Sequence, residues 1–277
     1  MRFSIITPSF RGGSWLKLCI ASVADQGVEL EHIVQDACSD DGTQEWLRQD
    51  SRVKAFIEKD QGMYDAVNRG LRRASGEIMA YVNCDEQYLP GALRTVEEFF
   101  EQHPEIDVAF ADAIVVGQSG EYICHRRVVV PGKYHSWVGG ALAIFTCSTF
   151  FRRRLIEERD LFFSTKLRDL GDCEWVMRLI DRKVSMAVLP VFTSIFTETG
   201  VNMNLLPNAQ REKAELFASA PSWARTMRLP LKAQNKARLW LTRGWRQKPF
   251  SYSIYTQQNP KERQTFKVLS PTTKWVR

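Results

Sequence analysis

Residues 53–86, VKAFIEKDQGMYDAVNRGLRRASGEIMAYVNCDE, run from a strand (VKAFIE, 53–58) through the turn Lys59-Asp60-Gln61-Gly62 into a helix, then into a second strand, EIMAYVN, ending at Asn83-Cys84-Asp85-Glu86. Tyr64, Val67, Leu71 and Ala74 recur at helical spacing, and Gly76 closes the helix. The same alternation occurs twice upstream. FSIITPSF (3–10) is a β-branched run ending in a Thr-Pro-Ser turn, with an apolar pattern of helical period from Ser14. HIVQD (32–36) runs into the turn-rich stretch 37–43 and a helix containing Glu45, Trp46 and Leu47. Four β-α units in about ninety residues predict a mainly parallel α/β sheet, Rossmann-like, with helices on both faces. Such a sheet binds ligands where the carboxyl ends of its strands gather.

Further along, VAFADAIVV (108–116) and YICHRRVVVP (122–131) flank Gly-Gln-Ser-Gly and predict a hairpin, so the sheet becomes mixed. Residues 148–183 are expected to be helical at both ends, and SMAVLPVF (185–192) supplies another strand. The 277 residues suit one catalytic domain plus an appendage. No apolar stretch reaches membrane-spanning length, which leads to the expectation of a cytoplasmic protein. The six cysteines lack metal-binding spacing and read as reduced thiols.

Carboxylates terminate several elements: Asp36, Asp60 to Asp65, Asp85-Glu86 and Asp172-Glu174. The succession TPSF, IVQDACSDDGT, EKDQGMYDAVNRGLRRASGE, YVNCDE, CSTFFRRR and LGDCEWVMRL resembles the family-2 glycosyltransferases with the GT-A fold, over about residues 1–202. DQGMYDAVNRG is its most specific part, similar to the D-x-G-x-Y-D-A-x-N-x-G segment of bacterial members that build exopolysaccharide and lipopolysaccharide. The resemblance implies a catalytic domain over 1–205, with a nucleotide-binding half (1–105) and an acceptor half (106–205), followed by a basic extension over 206–277.

It also implies roles. Thr7, Pro8, Ser9 and Asp36 would hold the nucleoside, the Asp36 carboxylate accepting the base imide N–H. Asp65 and Asn68, three apart on one helical face, would lie near the ribose and diphosphate. The family's D-x-D motif reads Asn83-Cys84-Asp85 here, leaving Asp85 as ligand of Mn2+ or Mg2+ and Asn83 beside the nucleotide. Asp172 falls where inverting members keep the general base, with Gly171 in place of the usual Glu. Glu174 is its rival, on roughly the opposite side of a helix. Thr149, Glu174 and Arg152 would face the acceptor, a glycan or lipid-linked oligosaccharide, with Arg152, Arg153 and Arg154 able to greet an anionic one. Thr146 and Cys147 stand where relatives carry a His. The expected reaction is transfer of a hexosyl or N-acetylhexosaminyl group from a UDP-sugar, or a GDP- or dTDP-sugar.

From Pro221 to Arg277 there are 13 Lys/Arg and one acid, Glu262, whereas the rest of the chain has 25 basic and 31 acidic residues. RLPLKAQNKARLWLTRGWRQK interleaves Leu231, Ala237, Leu239, Trp240, Leu241 and Trp245 with cations. Two readings fit: a helix lying on the inner, anionic leaflet, or a basic helical appendage packed on the acidic body. Three other functions compete. A nucleotidyltransferase is disfavoured by the poor match of residues 7–13 to a Gly-rich cationic loop. A degenerate, non-catalytic relative is disfavoured by the presence of Asp85 and Asp172. Nucleic-acid binding is disfavoured because no zinc-finger, RRM or helix-turn-helix signature accompanies the basic tail.

Overall fold

Strand β1 (Phe3–Ser9) is buried at every position, as a strand covered on both faces must be. Around it the computed structural model, which describes residues 2–139, 144–200, 206–243 and 247–275, winds α1 (Gly13–Ala24), β2 (Leu30–Asp36), α2 (Thr43–Leu47), β3 (Lys54–Ile57), α3 (Met63–Arg73) and β4 (Ile78–Tyr81). The four strands pair in parallel in the order β3-β2-β1-β4. Helix α3 shows why this stretch is specific. It turns Tyr64, Val67, Asn68 and Leu71 inward, and Gly70 lies so close to β1 that a Cβ there would sit 2.5 Å from Ile6 Cγ2. Only glycine lets helix and strand approach this closely.

Beyond β4 come β5 (Gln87–Tyr88), α4 (Ala92–Gln102), β6 (Val108–Val116), β7 (Tyr122–Arg126) and α5 (Lys133–Gly139). A 3-10 turn (Thr146–Ser148) then leads to β8 (Thr149–Arg152), α6 (Arg154–Glu157), α7 (Gly171–Asp181) and β9 (Met186–Thr197). The hairpin is β6–β7, antiparallel, and the sheet is mixed, in the order β3-β2-β1-β4-β8-β6-β9-β5. One expectation fails at 149–152. Thr149-Phe150-Phe151 form a strand rather than a helix, antiparallel between β4 and β6, and all three are buried. A β-branched and aromatic run with a strand on either side gains more from the ladder than from a helical turn.

The C-terminal part is only half helical. Helices α8 (Pro207–Ser219), α9 (Ser222–Thr226) and α10 (Arg228–Arg243) are followed by a hairpin, β10 (Phe250–Ile254) and β11 (Gln264–Val268). Tyr252, Ile254 and Val268 pack on Leu89, Ile114, Val116 and Ile195. Arg263 bridges Asp25 at 2.6 Å and the Tyr88 carbonyl at 3.0 Å. The hairpin is thus packed on the acidic body, while α10 leaves Leu229 77% and Leu241 75% exposed. Trp245 lies outside the described residues.

Candidate active site

The parallel strands β1 and β2 end together at Ser9 and Asp36, and β4 ends at Tyr81 opposite Ile6, so the loops after all three lie at one edge of the sheet. Pro8 is tolerated in β1 because the pairing with β4 stops at Ile6, leaving no ladder bond on that side for its missing N–H. Asp36 is fully buried. Its two carboxylate oxygens accept from the Ser39 N–H (2.8 Å) and the Ser39 hydroxyl (2.6 Å). The Arg11 N–H donates to the same hydroxyl at 2.7 Å, tying the first two loops together. Arg11 (φ 54°) and Cys38 (φ 62°) both hold left-handed backbone, a strain of about 1–3 kcal/mol per residue, as do Asp160 and Lys183 outside these loops. Ser9 Oγ is buried without a partner among the described residues. Asp60, which sequence reasoning gave no role, sits close enough to Asp65 and Asp36 to feel their charges, and burial foremost pushes its carboxyl up.

The next loop holds Asn83, Cys84, Asp85 and Glu86. Glu86 is buried and accepts the Asn83 N–H at 2.8 Å; burial, then the neighbouring Asp85 charge, push its carboxyl up to about 8. Burial also raises Asp85. Among the described residues no Lys or Arg pairs with either, and no cluster of three or more His, Cys, Asp or Glu could cage a metal. Two adjacent desolvated carboxylates without a counter-charge fit a hard cation shared with a ligand, in which a protein carboxylate is supplemented by phosphate and water oxygens.

Asp172 opens α7, eleven residues long, where the helix dipole favours an anion. Its Oδ1 accepts the Cys173 N–H at 2.7 Å, and its own N–H donates to the Tyr64 hydroxyl at 3.1 Å. The carboxyl faces a cavity of about 10 Å³ shared with Tyr81, Thr146, Thr149, Phe163 and Trp175, about the room one water needs. Burial raises it to about 6. Gly171 is required here, since a Cβ would lie 2.6 Å from the Tyr64 ring. Glu174 is turned away and paired with Arg178 at 2.7 Å. Thr149 lines the Asp172 cavity while its hydroxyl donates to the Phe145 carbonyl at 2.9 Å.

A family model, "Glycosyl transferase family 2", matches residues 4–186. The chain belongs to that family. The family-2 chain is 33% identical over 102 residues to the putative teichuronic acid biosynthesis glycosyltransferase TuaG of Bacillus subtilis, covering 35% of this chain and 40% of TuaG. It is 35% identical over 102 residues to a Campylobacter jejuni GalNAc(5)-diNAcBac-PP-undecaprenol β-1,3-glucosyltransferase, covering 34% and 33%. It therefore spans well under half of these curated relatives. In fold it is similar to Staphylococcus aureus TarS 1–349 in complex with UDP-GlcNAc (TM-score 0.62, 18% identity, 87% of this chain and 73% of that one). A Pyrobaculum calidifontis mannosyltransferase in complex with GDP-Man and Mn2+ follows (TM-score 0.55, 16% identity, 85% and 75%). The GT-A architecture is thus shared, and the nucleotidyltransferase and nucleic-acid readings fall away.

Three residues of the family-2 chain do other work than expected. The Thr7 hydroxyl is fully buried and bonded to His32 Nε2 at 2.8 Å, joining β1 to β2. Asn68 is buried and uses both ends of its amide on the Phe163 backbone, at 2.8 and 2.9 Å, so it ties α3 to residue 163. Arg152 lies opposite Ile78, at the amino end of β4, and donates to the carbonyls of Ile106 and Phe100. It is on the wrong edge of the sheet to meet an acceptor. Its neighbours Arg153 and Arg154 pair with Glu157 and Asp107. Asp65 is partly engaged, by Arg69 at 2.8 Å and the Gln61 N–H at 3.0 Å.

Proposed function

We propose that this chain transfers a hexosyl or N-acetylhexosaminyl group from a UDP-sugar, with GDP- and dTDP-sugars as alternatives, to a hydroxyl of a bacterial surface glycan or lipid-linked oligosaccharide, with inversion. The observation that carries the reading is Asp172: a carboxylate without a cationic partner among the described residues, raised to about 6, at the start of a helix and sharing a cavity with Tyr81, which ends β4. Its protonation equilibrium suits a base working near neutral pH. It takes the acceptor hydroxyl's proton as the new bond to the anomeric carbon forms and the bond to the diphosphate breaks. Asp36 and the turn at Pro8-Ser9 bind the base and ribose, with Asn83 and Asp65 toward the diphosphate. Mn2+ or Mg2+, held by Asp85, would supply the counter-charge that the diphosphate needs. Thr149 borders the acceptor side.

In this reading residues 1–105 form the donor half, 106–205 the acceptor half and 206–277 an extension. The names of TuaG and the Campylobacter glucosyltransferase support a glycan or undecaprenol-linked acceptor. Among the described residues no helix is long and apolar enough to cross a membrane. The exposed Leu229, Trp240 and Leu241, interleaved with cations on α10, suit peripheral contact with the anionic inner leaflet.

Calorimetric titration with UDP, GDP and dTDP, with and without Mn2+, tests the donor site. One diphosphate should bind in a metal-dependent way, and Asp85→Ala should weaken it about tenfold or more. Equal metal-free and metal-bound affinity, unchanged in Asp85→Ala, would remove Asp85 from the role.

A further inference from the structure

Helix α7 begins without a side-chain cap: the residue before it is Leu170, whose side chain has no hydrogen-bonding group. The backbone leading into it is nevertheless tightly held. Glu212 of α8, only 3% exposed, accepts the N–H of Arg168 at Oε1 (2.8 Å) and those of Asp169 and Leu170 at Oε2 (3.0 and 2.9 Å). Asn208, one turn earlier, donates to Glu212 Oε1 at 2.9 Å and to the Asp169 carboxylate at 2.7 Å. One turn later Leu216 packs on the cluster of Leu170, Cys173 and Met177. Burial alone would raise the Glu212 carboxyl, yet the backbone N–H groups and Asn208 outweigh it and hold it below the ordinary range.

We infer that Glu212 is a positioning residue for Asp172: by gathering three consecutive backbone N–H groups, it sets where α7 starts and so where the Asp172 carboxylate points. The inference rests on Asp172 being the base. Glu212 lies beyond the family-matched segment, which ends at residue 186. The other support is the Tyr64 hydroxyl on the Asp172 N–H. The two act from opposite directions in the chain, one from α3 and one from α8. A buried carboxylate that accepts several N–H groups is costly to remove, because each donor is left without a partner.

The test compares full-length Glu212→Ala, Glu212→Gln and Asp172→Asn with the parent chain. Three quantities are read: hydrogen exchange over residues 166–173, UDP affinity, and UDP release from UDP-GlcNAc in Mn2+. Glu212→Ala should speed exchange at 168–170 and lower kcat on the order of 100-fold, the scale of a base displaced by an ångström. UDP affinity and donor KM should stay within about twofold. Glu212→Gln, which keeps the shape and one acceptor oxygen, should recover part of both the exchange protection and kcat. Unchanged exchange and kcat in a folded Glu212→Ala would overturn the inference, as would a kcat loss matched by lost UDP affinity. If the alanine variant does not fold, parental exchange and kcat in Glu212→Gln overturn it instead. An inactive Asp172→Asn beside a fully active Glu212→Ala rejects the positioning role alone. An active Asp172→Asn rejects the base assignment, and the inference with it.

Discussion

The two edges of the parallel sheet treat the same kinds of residue in opposite ways. At the amino edge Glu31, its side chain 2% exposed, accepts from the Ser4 hydroxyl (2.6 Å), the Ser75 N–H (2.6 Å) and Lys54 (2.6 Å). Burial would raise its carboxyl, but these partners hold it down at about 2. Arg152 at that edge is likewise consumed, by backbone carbonyls. At the carboxyl edge Glu86 is pushed up to about 8 and Asp172 to about 6, and neither has a cation among the described residues. Left-handed Arg11 and Cys38 lie in the loops there. One edge spends its polar groups on stability; the other keeps negative charge in reserve, at a cost to the fold, for a ligand to neutralise.

The largest effect that can break this contrast is at Asp172. Asp172→Asn should cut transfer by about 10² to 10⁴-fold while nucleotide affinity is retained, and in the parent chain turnover should fall as the pH drops through about 6. The stability effect has the opposite sign. A raised carboxyl favours the protonated fold, so its stabilising contribution is full below the ordinary value near 3.8 and is lost as the pH rises through about 6. Asp172→Asn should therefore raise the melting temperature at pH 8, with the gain fading toward pH 4. Near-parental turnover, or a lower melting temperature at pH 8, would break the contrast.

Glu31→Gln is its mirror image. A depressed carboxyl contributes stability above its ordinary value, and that contribution is lost as the pH falls toward about 2. Urea denaturation should show a loss of about 2 kcal/mol at pH 7 that shrinks by pH 3, with nucleotide affinity unaltered; a pH-independent loss would dissolve the distinction. The smallest effect sharpens the comparison at the outer surface, where α10 exposes apolar side chains that neither edge buries. Replacing Leu229 and Leu241 with Glu should lower co-flotation with phosphatidylglycerol vesicles severalfold without changing the melting temperature. Equal flotation would assign vesicle contact to another surface.

Much of the sheet was legible because its signals are local. The runs that became β1, β2, β3 and β4 carry their own strand pattern, α3 its own periodicity, and the hairpin β6–β7 its own turn. Asp36, Asp85 and Asp172 could be picked out because each ends or begins an element. Strand β8 was misread: its identity depends on partners such as Ala80, seventy residues from Phe150, and on Ala109. The hairpin β10–β11 went unforeseen within a charged tail, since its apolar side chains are explained only by the core cluster of Leu89, Ile114 and Ile195 that they cover.

By itself the sequence determined the alternation of strands and helices from β1 to β4, the family motif and the carboxylates at element ends, since each is written in residues a few positions apart. Only the tertiary structure decided which polar groups are free to act. Asn68 is engaged by Phe163, 95 residues away; Thr7 by His32; and the backbone leading to Asp172 is held by Glu212. A hydrogen bond satisfies a side chain whatever the sequence separation of its partner, so whether a motif residue serves the fold or the ligand is settled by neighbours in space.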